Sequence, residues 1–143
     1  MNILLLVSVA LSKLFIDHHP NPDAILGVWR NSNNRAHIEI YRQGSRYYGK
    51  ILWLKNQVDE YGKPKIDKRN PEPELRSRTL IGLVTLRDLE FDDGEWSGGY
   101  IYNPGDGKEY NAFISLIDNN TIAVRGYVGI SLFGKTDVWS RVH

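Results

Sequence analysis

With 143 residues, the chain suits one domain with a modest core, and 41% hydrophobic and 24% charged residues exclude a disordered chain. Eighteen basic against seventeen acidic side chains leave a net charge of +1, scattered rather than gathered into a basic stripe, so nucleic acid is not an expected partner. Cysteine is absent, which excludes disulfides, thiolate catalysis and cysteine zinc sites.

The chain opens on MNILLLVSVALS, an apolar run stopped by Lys13. A bilayer span needs about 20 apolar residues, so no transmembrane span is expected. The run has the length of a signal-peptide core, with Ser8-Val9-Ala10 or Ala10-Leu11-Ser12 as a small-residue cleavage site. No basic residue precedes it, and the alternative is an apolar helix or strand packed on the domain. The expected division is therefore an export signal or apolar segment over residues 1–16 and one domain over 23–143. Export places the product in the periplasm or the medium. Asp17-His18-His19-Pro20 invites a metal reading, but a closed site needs ligands converging from several points, so no metal is expected.

From Ala24 onward, runs of strand type alternate with turn signals. ILGVWR is followed by AHIEIYR, where Ile38 and Ile40 alternate with polar neighbours; QGSR then turns into YYGKILWL. Farther on stand LIGLVTL, EWSGGYIY, EYNAFISLI, TIAVRGY and LFGKTDVWSRV, parted by DDG, NPGDGK and DNN. About eight short strands at a spacing of roughly 8–12 residues predict an all-β sandwich or barrel. Short connections predict that consecutive strands pair antiparallel.

NPGDGK, residues 103–108, resembles a phosphate or calcium loop at first sight. A phosphate loop requires G-x-x-x-x-G-K-[ST] opening a helix, whereas Lys108 is followed by Glu109 and a β-type run. Calcium loops need alternating acids between helices. A tight turn between two strands is the reading that remains.

The interval Lys55–Thr79 is charged, carries three prolines and lacks period-two alternation. Within it NPEPEL predicts a short helix, with Asn70 as N-cap, Pro71 first, and Glu72 and Glu74 at the positive end of the dipole. Asp67 and Asn70 are expected to brace a turn through backbone amides rather than to catalyse. A connection this long in a small domain predicts a binding loop or lid.

GVWR, Gly27 to Arg30, resembles the Gly-x-Trp opening of lipocalin-like barrels, and VWSR, Val138 to Arg141, falls on the last strand. By that resemblance Arg141 sits on Trp29, a cation–π contact of about 0.5–2 kcal/mol. The blocks ILGVWR, IEIYR, YYGKILWL, DKRNPEPELRSRTLIGL, WSGGYIYNPGDGKEYNAFISL and VRGYVGISLFGKTDVWSR resemble, in order and spacing, the bacterial domain of unknown function 2147. That resemblance implies a single antiparallel up-and-down β-barrel of lipocalin (calycin) type behind a signal peptide, and no established reaction.

An eight-stranded barrel is either filled by side chains or just wide enough for one small ligand. Alternation sets Trp96, Gly98, Tyr100 and Tyr102 on one face, and Tyr110, Ala112, Ile114 and Leu116 on one face of the next strand. Together with Trp53, the hydroxyl-tipped and indole rings Trp96, Tyr100, Tyr102 and Tyr110 are candidates for lining a cavity that takes an amphipathic molecule. Arg125, if inward, would anchor a carboxylate or phosphate; alternation with Ala123 and Tyr127, opposite Ile122 and Val124, favours an outward course. No catalytic residue is assigned: G-x-S-x-G and H-E-x-x-H are absent, and His37 has no nucleophile in sequence reach. No cofactor is expected. A cavity predicts a small-molecule binder, whereas a filled interior with an exposed apolar patch predicts a protein or envelope interaction module.

Overall fold

The computed structural model describes residues 20–143. The signal or apolar reading of residues 1–16 and the metal reading of Asp17–His19 fall outside these residues.

Asn21 and Pro22 start the described chain with a 3-10 turn over Pro22–Ile25, because the proline ring fits a first helical position and the Asn21 side chain accepts the Asp23 amide. Eight strands follow: β1 Gly27–Arg30, β2 Ala36–Gln43, β3 Arg46–Leu54, β4 Val84–Asp92, β5 Glu95–Asn103, β6 Lys108–Asp118, β7 Thr121–Tyr127 and β8 Gly134–Arg141. Each pairs antiparallel with the next, and β1 pairs with β8 through Trp29 opposite Arg141, so the sheet closes into an up-and-down barrel. Closure removes both sheet edges.

The β2–β3, β4–β5 and β6–β7 turns lie at one end, the floor, and the other connections at the opposite end, the mouth. The 3-10 turn plugs the floor. Arg141 stacks on Trp29 with its guanidinium carbon 4.3 Å from the ring centroid. It also donates to the carbonyls of Leu26 and Ala24 at 2.8 Å and of Asn119 at 2.9 Å, while Trp29 Nε1 donates to Ile25. Gly27 must be glycine: its φ is +124°, and a Cβ there would stand 2.9 Å from Arg141 Nη1. The Gly-x-Trp spacing thus clears room for the guanidinium and places the indole beneath it.

Above this seal the inward residues Ile40, Tyr47, Leu89, Trp96, Ile114 and Ile122 fill the floor half of the barrel. Trp96 Nε1 donates to the Pro22 carbonyl, tying β5 to the plug.

The structure corrects several strand and helix bounds. Leu80–Leu83 does not extend β4, since a turn there brings Gly82 to φ +89°, and the strand instead runs on through the charged outward residues to Asp92. Leu132 and Phe133 lie in the loop before β8. The helix expected with Asn70 as its cap begins two residues later, as a single 3-10 turn over Pro73–Leu75 with Glu72 at its N-cap. Asn70 Oδ1 accepts the Glu72 amide in an Asx-type turn, which uses up the cap, and Pro71 lies outside the turn.

Candidate functional site

The mouth half of the barrel is hollow. Its cavity is about 750 Å³, within the usual range of about 300–1,000 Å³ for small-molecule sites. Ile38, Ile51, Ile101, Val124 and Trp139 contribute apolar wall, with Thr85 among them. Gly126 on β7 leaves space where a side chain would fill the lumen, its nearest neighbour being Ile101. The polar groups stand at the rim: Asn31, Asn103, Asp106, Lys135 and Asp137.

Two rim carboxylates are already engaged. Asp137 accepts from Trp139 Nε1 at 2.8 Å and from the Ser32 hydroxyl. Asp106 accepts from the Tyr110 hydroxyl and from the Lys108 amide. Burial pushes the Asp106 carboxyl upward, but these hydrogen bonds outweigh it and hold the group below the ordinary carboxylate range, and they raise the Tyr110 phenol in turn. Lys135 shares the inward side of β8 with Asp137 and Trp139, faces Gly126 across the ladder, and forms no ion pair among the described residues.

The sequence candidates divide into three groups. Tyr102 and Tyr110 reach the cavity rim. Trp96 lies below it, fully buried in the floor half. Trp53, Tyr100 and Arg125 are on the outer surface, for two reasons.

The first is a pair of β-bulges. The β2–β3 register shifts by one at Leu52, so Trp53 turns outward and stacks on His37, with ring centroids 4.4 Å apart. Burial, with Arg30 second, lowers the His37 imidazole from its usual value. The β5–β6 register shifts between Trp96 and Gly99, where Gly98 adopts φ +74°. Trp96 and Ile101 therefore face inward and Tyr100 outward over Arg87, 4.3 Å away. Strict alternation cannot foresee either shift.

The second reason is plain alternation, which sets Arg125 outward. Its Nε donates to Ser131 O at 2.7 Å, its Nη2 to Leu132 O and its Nη1 to Thr136 Oγ1 at 2.8 Å. Its forks are taken up by the β7–β8 loop and by Thr136 on β8, on the outer face, so it anchors no guest in the lumen.

The long connection Lys55–Thr79 spans the mouth between β3 and β4. Two isolated bridges order it, Val58 to Pro64 and Ile66 to Thr79. Asp67 at its centre is fully buried and accepts from Tyr102 at 2.6 Å, Asn70 at 2.8 Å and Arg78 at 3.4 Å. Asp67 and Asn70 thus brace the connection, and burial together with Asp67 pushes the Tyr102 phenol up to about 12. Gly107 in the β5–β6 turn lies against this connection, where a Cβ would fall 2.0 Å from Arg69 O. Among the described residues no group of three His, Cys, Asp or Glu converges on a metal position, and no helix is long and apolar enough to cross a membrane.

Sequence reasoning missed Asn31, Asn103, Lys135 and Asp137. The inward phase of β8 was available from Trp139, and counting back two and four residues from it reaches Asp137 and Lys135.

The family profile for DUF2147, described as an uncharacterized protein conserved in bacteria, matches residues 27–141. No curated protein matches the chain. Among solved structures it is similar to the Helicobacter pylori protein HP1028, described as belonging to the lipocalin family. The two are 26% identical, the match covers 83% of each chain, and the TM-score is 0.73.

Proposed function

Because this chain belongs to the bacterial DUF2147 family and folds as a lipocalin-like barrel, we propose that it binds one small amphipathic molecule in the mouth half of the barrel. The observation that carries this reading is the cavity of about 750 Å³, walled by aliphatic side chains and closed below by the Trp29–Arg141 seal. An apolar body enters the lumen, and a polar end remains at the rim beside Asn31, Asn103 and Lys135. A twelve-carbon body gains roughly 10 kcal/mol by burial, at about 0.8 kcal/mol per CH₂. The costs of association reduce this to micromolar affinity. The reading is of a carrier rather than an enzyme, since Asp106 and Asp137 are held by Tyr110, Ser32 and Trp139. Export belongs to the same reading and rests on the apolar run before Lys13; N-terminal sequencing of secreted material tests it, with an intact Met1 as the contrary result.

The test of binding is a titration with the fluorescent amphiphile 11-(dansylamino)undecanoic acid. The expected result is a saturable blue-shifted signal with one site per chain and a micromolar Kd. A flat or non-saturating titration overturns the proposal.

A further inference from the structure

Four of the thirteen exposed large apolar side chains in the described residues fall in one six-residue loop, Val128–Phe133, between β7 and β8. Val128 is 65% exposed, Ile130 59%, Leu132 75% and Phe133 68%. Soluble surfaces seldom gather so much apolar area at one tip without a use for it.

The loop is presented, not collapsed. Arg125 grips the carbonyls of Ser131 and Leu132 from the outer face of the barrel. Val128 N donates to Phe133 O and Phe133 N to Ile130 O. The carbonyls of residues 130–133 are thereby paired within the protein, which lowers the cost of moving this side of the loop out of water. Its apolar side chains remain free beside the cavity rim, where Val128 and Phe133 contribute to the wall.

Charge indicates what covers the tip. At the mouth end Arg35, Lys55, Lys108 and Lys135 form no ion pair among the described residues, while the rim carboxylates Asp106 and Asp137 are held by Tyr110, Ser32 and Trp139. The mouth connection 55–83 carries seven basic against five acidic side chains, and one of the acids, Asp67, is buried. The floor turns at residues 44–45, 93–94 and 119–120 carry Asp93 as their one charged residue, so the basic excess of the connections lies at the mouth. An apolar tip at the end of the barrel whose connections carry the basic excess matches a bilayer with anionic headgroups. A second copy would oppose one positive rim to another.

We propose that the Val128–Phe133 tip inserts into an anionic lipid bilayer surface and sets the barrel mouth against it. This inference needs no ligand in the cavity and stands apart from the carrier reading. The chain contains no cysteine, so Ile130→Cys in the full-length protein accepts a single environment-sensitive nitrobenzoxadiazole dye, and Ser45→Cys labels the floor end as the control. With vesicles of phosphatidylcholine and phosphatidylglycerol, the dye at position 130 is expected to brighten at least threefold and shift to the blue, while that at 45 stays unchanged. Vesicles of phosphatidylcholine alone give a weaker response. In unlabelled protein the double variant Leu132→Asp, Phe133→Asp lowers vesicle partitioning at least tenfold, with near-ultraviolet circular dichroism unchanged. A silent dye at position 130, an equal response at 45, or partitioning indifferent to the double variant overturns the proposal. So does a concentration-dependent dimer that the double variant abolishes, which would assign the tip to a second copy.

Discussion

Lysine in place of Arg141 keeps the charge but not the planar fork that reaches Ala24, Leu26 and Asn119 together. Hydrogen bonds from a charged donor contribute about 1.5–3 kcal/mol each when their loss strands an acceptor, although neighbouring losses are not additive. Arg141→Lys is therefore expected to lower stability by about 2 kcal/mol, and Arg141→Leu by more, because the leucine leaves those carbonyls without their donor. Urea unfolding followed by tryptophan fluorescence measures both. Equal midpoints for parent and Arg141→Leu would remove the seal from the energetics of the fold. Gly27, Trp29 and Arg141 were legible as a set through the resemblance to lipocalin-like barrels, and the structure supplies the reason: glycine clears the guanidinium and a large flat ring fills the space beneath it. Arg125 was equivocal, since alternation named its face but not its partners, and the loop carbonyls it holds lie six and seven residues along the chain.

Between elements, the seam joining β5 to the long connection is the hydrogen bond from Tyr102 to the buried Asp67. Its pH dependence has a definite sign. The Tyr102 phenol ionises at about 12 in the folded chain and near 10 when unfolded, so between these values the folded state keeps a proton that the unfolded state gives up. The stabilisation is complete below about pH 10 and is lost as the pH rises through about 12. Tyr102→Phe should therefore show a shallower alkaline loss of stability than the parent, read from urea midpoints across that range. Parallel curves would remove the seam. The remaining slope belongs to Tyr47, raised chiefly by burial, and to Tyr48 and Tyr110, raised chiefly by their hydrogen bonds to Asp88 and Asp106. Strand number and order were legible at this scale. The bulges at Leu52 and Gly98 were not, and they moved Trp53 and Tyr100 from the expected inner face to the outer. A bulge depends on register with the partner strand, which one strand's own pattern does not contain.

As a whole, the barrel is filled at its floor and hollow at its mouth, an asymmetry that the carrier reading uses. Filling the hollow half should remove the guest while sparing the fold. Gly126→Leu places a side chain in the lumen at a residue with ordinary backbone angles, with a Cβ contact of 3.2 Å to Ile101 to accommodate. It is expected to weaken dansylaminoundecanoate binding at least tenfold while lowering stability by about 1–3 kcal/mol, which leaves the fold intact. Unaltered affinity in a folded variant would move the probe out of the barrel.

The strand pattern alone was enough to predict about eight antiparallel strands in a sandwich or a barrel, and the resemblance carried by Gly27, Trp29 and Arg141 chose the sealed barrel that the structure shows. The expectation that Asp67 and Asn70 brace a turn through backbone amides holds for Asn70, which accepts the Glu72 amide, whereas the Asp67 carboxylate is held by the side chains of Tyr102, Asn70 and Arg78. Which aromatics enter the lumen, and that the mouth half stays open, became visible only in the folded barrel. These depend on register across strands and on distances between residues remote in the chain. Periodicity along a single strand gives no information about either.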